Sequence, residues 1–238
     1  MIKAIYIKSD LKQLFREPMM ALLFMLPLFM APLFKLILTF LVPFMQRFIQ
    51  FDIQDYYSYI LSFMLLFVPG MLGVVMGFML LDDKDGKTIE LLSITPLGRK
   101  GYLTLRIGFV AFCSFIYTLY SYGVIGIYIL NLFQLLYISL LLSIYSAIVG
   151  LLFINLATDK VKGLTYAKGL NILMFFVLAD LLRLPWLTAI ANLTPTYWVY
   201  MIIKTQSSLW SLMLGLVIHC IWFMMMLRIS LSNKLVNG

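Results

Sequence analysis

One short run in the sequence has the residue types of a phosphate-binding loop, Gly86-Lys87-Thr88. A nucleotide-binding loop of this kind also needs a glycine five residues earlier, directly after a β-strand. Leu81 occupies that position, at the end of a long apolar run. We therefore predict that the chain does not bind ATP and carries no cofactor of its own.

Acid–base, metal and thiol chemistry lack the clustered side chains that they need. Glu17 and Glu90 are the only glutamates and lie outside the apolar runs, and His219 is the only histidine. Cys113 and Cys220 lie in separate apolar runs, without the spacing of a metal site. We predict that the chain is not an enzyme by itself.

Any functional residue must be positioned by membrane helices. The 238 residues are 63% apolar and only 12% charged, against roughly a quarter charged in soluble domains. The apolar runs are long and uninterrupted, which favours helices over a β-barrel. Six runs approach the roughly 20 residues that a span needs: Met19–Leu41, Tyr59–Leu81, Tyr102–Ile127, Leu135–Ala157, Gly169–Leu187 and Leu209–Leu227. The fold class is therefore an all-α integral membrane protein with six transmembrane helices.

The basic residues predict the orientation of these spans. Most of the 18 lysines and arginines fall on the side of the N-terminus. The positive-inside rule then places both termini in the cytoplasm of a bacterium, with a multi-pass chain in its inner membrane. The net charge of +8 reflects this topology and attraction to membrane lipid, so nucleic acid is not an expected partner.

The first 17 residues read as an amphipathic helix lying in the cytoplasmic interface. Ala4, Ile7, Leu11, Leu14 and Phe15 gather on one face, beside a stripe of basic residues at Lys8, Lys12 and Arg16. Ordinary flanking charge is the alternative interpretation.

The loop at 82–101 is the most informative segment. Acidic residues follow the second span, Gly86 allows a turn, and a short helix from about Lys87 to Ile94 is expected to end before Pro96. Its exposed apolar residues, Ile89, Leu92 and Leu91, have no domain of this chain to cover them. Such a knob indicates a protein partner.

This loop resembles the one after the second span in type-2 ABC exporter permeases. The whole plan is similar too, with an amphipathic N-terminal helix, six spans and a re-entrant external segment before the last span. In that family the loop is a coupling helix that docks on the ATPase. The resemblance assigns ATPase coupling to Asp82, Asp83, Thr88, Ile89, Glu90, Leu91, Leu92, Thr95 and Pro96. The family commonly has a glutamate-arginine pair where this chain has Asp82-Asp83-Lys84.

The resemblance also implies partners for a single permease domain over residues 1–238. These are two copies of an ATPase subunit, which bind the ATP and Mg, and a second permease copy or paralogue. The external segment at 188–208 is implied to help close the outer side of the pathway. Possible pathway or outer-gate residues are Lys35, Asp180, Arg183, Trp186, Pro195 and Trp198.

Simpler interpretations of these outer residues stay open. The aromatic residues suit plain interface anchoring. Lys35 suits snorkelling to the headgroups. Asp180 and Arg183, three residues apart, suit an ion pair with each other.

The leading hypothesis is the membrane subunit of an ABC exporter that moves a hydrophobic or amphipathic cargo, such as a lipid, peptide or drug. An ion-coupled carrier would need acidic groups within its spans, and Asp180 is the only candidate. A membrane immunity or assembly protein with the same fold, which transports nothing, is the alternative.

Overall fold

The structure, a computed structural model, describes residues 10–49, 53–86, 88, 98–206 and 208–233. Within these ranges all regular elements are helical. They are α1 (residues 10–16), α2 (Pro18–Ile49), a 3₁₀ turn (Ile53–Tyr56), α3 (Tyr57–Asp85), α4 (Gly98–Ile125), α5 (Leu132–Leu156), α6 (Lys160–Leu170), a 3₁₀ helix (Asn171–Leu178), α7 (Pro185–Ala191), α8 (Pro195–Lys204) and α9 (Leu209–Asn233).

Six segments of the described chain are long and apolar enough to cross a membrane. They are Pro18–Phe44, Ile53–Asp85, Lys100–Ile125, Leu132–Leu156, Lys160–Leu178 and Leu209–Ser232. The predicted all-α fold with six spans is thereby confirmed. Five of the segments overlap the predicted spans over most of their length.

The fifth span differs from the prediction, because it begins at Lys160 rather than Gly169. The Asp159 carboxylate caps α6 by accepting a hydrogen bond from the Lys162 backbone N–H at 2.9 Å. Beyond Leu170 the span continues as the 3₁₀ helix, where the Asn171 side chain donates to the Ala167 carbonyl at 3.2 Å. A 3₁₀ helix rises about 2.0 Å per residue, so α6 and its continuation together measure about 32 Å.

Helices α3 and α5 form the centre of the bundle. A Cβ atom at Gly73 would lie 2.6 Å from the Ser146 carbonyl oxygen, and one at Gly150 would lie 2.7 Å from the Met76 sulfur. Small residues therefore let the two backbones approach closely, as is common between membrane helices. The rings of Phe78 and Phe153, with centroids 4.7 Å apart, extend the same contact.

The surrounding helices expose large apolar side chains. Phe40 of α2 is 70% exposed, Phe112 of α4 is 63% exposed and Met213 of α9 is 63% exposed. In water such a surface would be unfavourable, whereas lipid is an apolar solvent that accepts it.

A capping box begins α5. The Asn131 side chain accepts from the Gln134 backbone N–H at 2.8 Å, and the Gln134 side chain accepts from the Asn131 backbone N–H at 3.0 Å. We expect Asn131→Ala to lower the free energy of unfolding in mixed detergent–SDS micelles by about 1 kcal/mol. Asn131→Asp keeps a capping oxygen and should lose much less. Equal losses in the two variants would mean that the cap contributes nothing.

Candidate functional site

Arg106 is the centre of a buried polar network at the end of the bundle where α3 ends and α4 begins. Its guanidinium Nη1 lies 2.7 Å from Oδ1 of Asp10 in α1. Its Nη2 forms an ion pair with Asp83 of α3 and donates to Oε1 of Gln13 at 2.9 Å. The arginine side chain is only 4% exposed. One cation thus connects three helices, and we call this part of the molecule the charged end.

Tyr102, Gln13 and Asp83 complete the network. The Tyr102 hydroxyl donates to Asp83 and accepts from Nε of Arg106 at 3.3 Å. Nε2 of Gln13 donates to Oδ1 of Asp83 at 3.3 Å. Buried polar groups are stable only when they are paired, and here each carboxylate has a donor.

Two carboxylates share this single guanidinium. Burial raises the pKa of the Asp10 carboxyl, the charge on Arg106 lowers it in part, and the nearby Asp83 raises it again. Because two carboxylates share one positive charge, the ion pair between Asp10 and Arg106 depends on their close contact of 2.7 Å.

Lys160 makes a second connection at the charged end. Its Nζ lies 2.7 Å from Oε1 of Glu17, which links α1 to α2, and 2.6 Å from Oδ1 of Asp82 in α3. The lysine side chain is 42% exposed, so water screens the pair and its net contribution to stability is small. Its effect is positional, because it fixes the start of α6 against the exit of the second span.

These contacts surround an open cavity of about 690 Å³. Lys12 and Arg16 of α1 line it together with Asp82, Asp83 and Thr88. Thr88 is the last described residue before 98. The remaining residues of the predicted coupling segment lie outside the described residues: Ile89, Glu90, Leu91, Leu92, Thr95 and Pro96. The acidic pair of the motif is therefore seen at the base of the loop, whereas its coupling role stays a prediction.

The N-terminal helix is described only from Asp10, so the prediction for residues 1–9 lies outside the described residues. Within α1, Leu11 and Phe15 are exposed while Leu14 is fully buried. The basic residues Lys12 and Arg16 are exposed. Its buried face carries Asp10, which sequence periodicity had not singled out.

At the opposite end of the bundle, Asp180 forms an ion pair with Lys204 and not with Arg183, the partner that the sequence spacing suggested. Its Oδ2 lies 3.0 Å from Nζ of Lys204, and its Oδ1 accepts from the Tyr197 hydroxyl at 2.8 Å. Arg183 has a positive φ of 53° and an exposed side chain, and its backbone N–H donates to the Asp180 carbonyl. The backbone turns at Arg183, so proximity in sequence does not bring the two side chains into an ion pair.

The segment between the fifth and sixth spans folds as the short helices α7 and α8. Pro195 and Trp198 are buried, and the Trp198 indole donates to the Asn192 carbonyl at 2.8 Å. Trp186 is 62% exposed. Burial and the hydrogen bond to Asp180 raise the pKa of Tyr197, which packs near Tyr200. A re-entrant position and an outer-gate role stay predictions for this segment.

Sequence reasoning missed most of the network at the charged end. The lysines and arginines on the N-terminal side were interpreted only as charges that set the topology, and no partner was predicted for Arg106 or Lys160 among them. The available signal was an arginine inside the third apolar run, one helical turn after a tyrosine. An ionisable residue in a span normally has a buried partner.

Most of the chain is similar in sequence to known proteins. Residues 10–227 match the family described as Fluoroquinolones export permease protein Rv2686c-like. Two relatives from Mycobacterium tuberculosis are named Fluoroquinolones export permease protein, Rv2686c in strain ATCC 25618 / H37Rv and MT2760 in strain CDC 1551 / Oshkosh. Each is 26% identical over 218 residues, covering 87% of this chain and 85% of the relative. No solved structure matches.

Proposed function

The chain belongs to the family of fluoroquinolone export permeases, which are type-2 ABC permeases, and from this premise we propose that it moves an amphipathic small molecule out of the cytoplasm by using ATP hydrolysed on a partner subunit. The resemblance seen in the sequence is confirmed by this membership. An ABC permease is a transport subunit and implies an ATPase partner.

The observation that supports ATP coupling is the way the charged end joins four helices at the base of the 82–101 loop. Asp83 is held to α1 and α4 through Arg106, and Asp82 is held to α6 through Lys160. A displacement of the loop would thus act on several spans together rather than on α3 alone. The contacts of Arg106 are buried and closely packed, so α1, α3 and α4 would move together.

The proposed assembly has two permease copies, or a copy and a paralogue, and two ATPase subunits that bind the ATP and Mg. Both termini and the charged end face the bacterial cytoplasm in this arrangement, because most basic residues lie on that side. The cargo class is supported by the names of the relatives, which are fluoroquinolone export permeases.

Leu91 and Leu92 provide the test of the coupling segment. We expect the double variant Leu91→Asp/Leu92→Asp to insert normally but to lose at least about 90% of ATP-dependent drug export from vesicles, since charged side chains cannot enter an apolar socket on the ATPase. Export should be measured beside pull-down of the ATPase, with membrane abundance as the measure of insertion.

Leu132→Asp is the matched control, because this leucine is 72% exposed at the opposite end of the bundle. It should keep both the ATPase and the export activity. Normal ATPase association in the loop variant would show that the coupling segment is misplaced.

A further inference from the structure

We propose that a cavity beside Lys35, at the end of the bundle opposite the charged end, binds the carboxylate of an amphipathic small molecule. This inference rests on the proposed export function and adds to it the site and the charge of the cargo.

The cavity has a volume of about 420 Å³ and lies between the second half of α2, the start of α3 and the end of α4. Pockets for drug-sized molecules commonly measure about 300–1,000 Å³. A phospholipid with two acyl chains is much larger than this space, whereas a molecule of two or three fused rings fits it.

The lining is mostly apolar and carries one cation. Leu38, Val42, Pro43, Ile125 and Ile127 form most of the wall, and Thr39 and Tyr57 add hydroxyl groups. Lys35 is the only charged residue among the described residues that line it. An apolar wall with a single positive charge complements a molecule that has an apolar body and one anionic group.

Lys35 differs in its surroundings from the three lysines of the described chain that form ion pairs. Lys160, Lys162 and Lys204 each lie within ion-pair distance of a carboxylate. Among the described residues, none provides such a carboxylate to Lys35. The Thr39 hydroxyl, one helical turn further on, donates to the backbone carbonyl of Lys35 at 2.8 Å and leaves its ammonium group unaffected.

The depth of Lys35 strengthens the need for an anion. The span Pro18–Phe44 has 27 residues, about 40 Å of helix, whereas the hydrocarbon core is about 30 Å thick. When that core is centred on the span, the Cα of Lys35 lies about 9 Å inside its boundary. An ammonium group there is unfavourable unless it reaches the interface or is neutralised. A bound carboxylate would neutralise it within the cavity.

Binding can be measured on the purified full chain in phosphatidylcholine nanodiscs, without any ATPase. The probes are nalidixic acid, an aromatic monocarboxylate, and its uncharged methyl ester. We expect Lys35→Gln to weaken binding of the acid about ten-fold or more, which is the usual effect of losing one charge-assisted hydrogen bond. Lys35→Arg should restore most of the affinity, and the ester should bind all variants alike.

Lys168→Gln is the control, since it removes the charge of another exposed lysine. Unchanged binding of the acid to Lys35→Gln would overturn the proposal. So would loss of acid binding to the natural chain when phosphatidylglycerol is added to the nanodiscs, because the phosphate of a lipid would then be the occupant. If the acid binds through Lys35 but the chain binds no ATPase, the export function alone is refuted. If the acid does not bind although the chain has an active ATPase partner, the site alone is refuted.

Discussion

Replacing Arg106 with leucine is expected to lower the free energy of unfolding by about 3–5 kcal/mol, because breaking a buried ion pair leaves its partners without compensation. Arg106 is 4% exposed and is held by Asp10 and Asp83 together. Without the guanidinium, both carboxyl groups remain buried beside each other. Protonation would relieve part of the repulsion at the expense of the contacts that join α1 to α3 and α4.

The loss should be measured by SDS-induced unfolding in mixed micelles. A double-mutant cycle with Asp83→Asn separates the ion pair from simple packing. We expect Arg106→Leu to cost much less in the Asp83→Asn background, because one buried charge has already been removed. Additive losses in the cycle would mean that the network does not act as a unit.

Gly73→Leu is the second substitution with a large expected effect. A Cβ at this position would lie 2.6 Å from the Ser146 carbonyl oxygen and 2.6 Å from Cβ of Val149. Both atoms belong to or adjoin the α5 backbone, which a side-chain rotation cannot move away. The helices must separate, and we expect a loss of about 3 kcal/mol, at the upper end of ordinary overpacking effects.

Gly108→Leu is the matched control for this substitution. Gly108 lies in α4, and nothing lies within 4 Å of a Cβ placed there. Leucine favours a helix over glycine by nearly 1 kcal/mol, so the control should be neutral or slightly stabilising. The same SDS titration serves for both variants. Similar losses at the two positions would argue against close packing of α3 on α5.

Hydropathy predicted the spans well because it responds to the solvent that surrounds each helix. It failed at α6, because the predicted fifth span began at Gly169 and left Lys160, Lys162 and Lys168 outside it. The structure shows a helix that Asp159 caps, with lysines whose long side chains allow their charges to reach polar surroundings. The charged residues therefore belong to the end of a span rather than to the loop before it.

The buried network was not predictable from local patterns. Arg106 and Asp10 are 96 residues apart in sequence, and Arg106 and Asp83 are 23 apart. Only the packing of α1, α3 and α4 brings them together. At the opposite end, the spacing of Asp180 and Arg183 suggested an ion pair that does not form. The backbone turns at Arg183, and Asp180 contacts Lys204 and Tyr197. Spacing predicts side-chain pairs within one regular helix, and that condition does not hold at Asp180.

The most direct test of the exporter role is affinity purification of the chain from its native membrane in mild detergent, followed by identification of the proteins that co-purify and an assay of ATP hydrolysis. We predict a nucleotide-binding ATPase in equal amount to the permease, with hydrolysis stimulated by a fluoroquinolone. Repeated recovery of the chain without an ATPase, under several gentle conditions, would contradict the exporter role and favour an immunity or assembly protein.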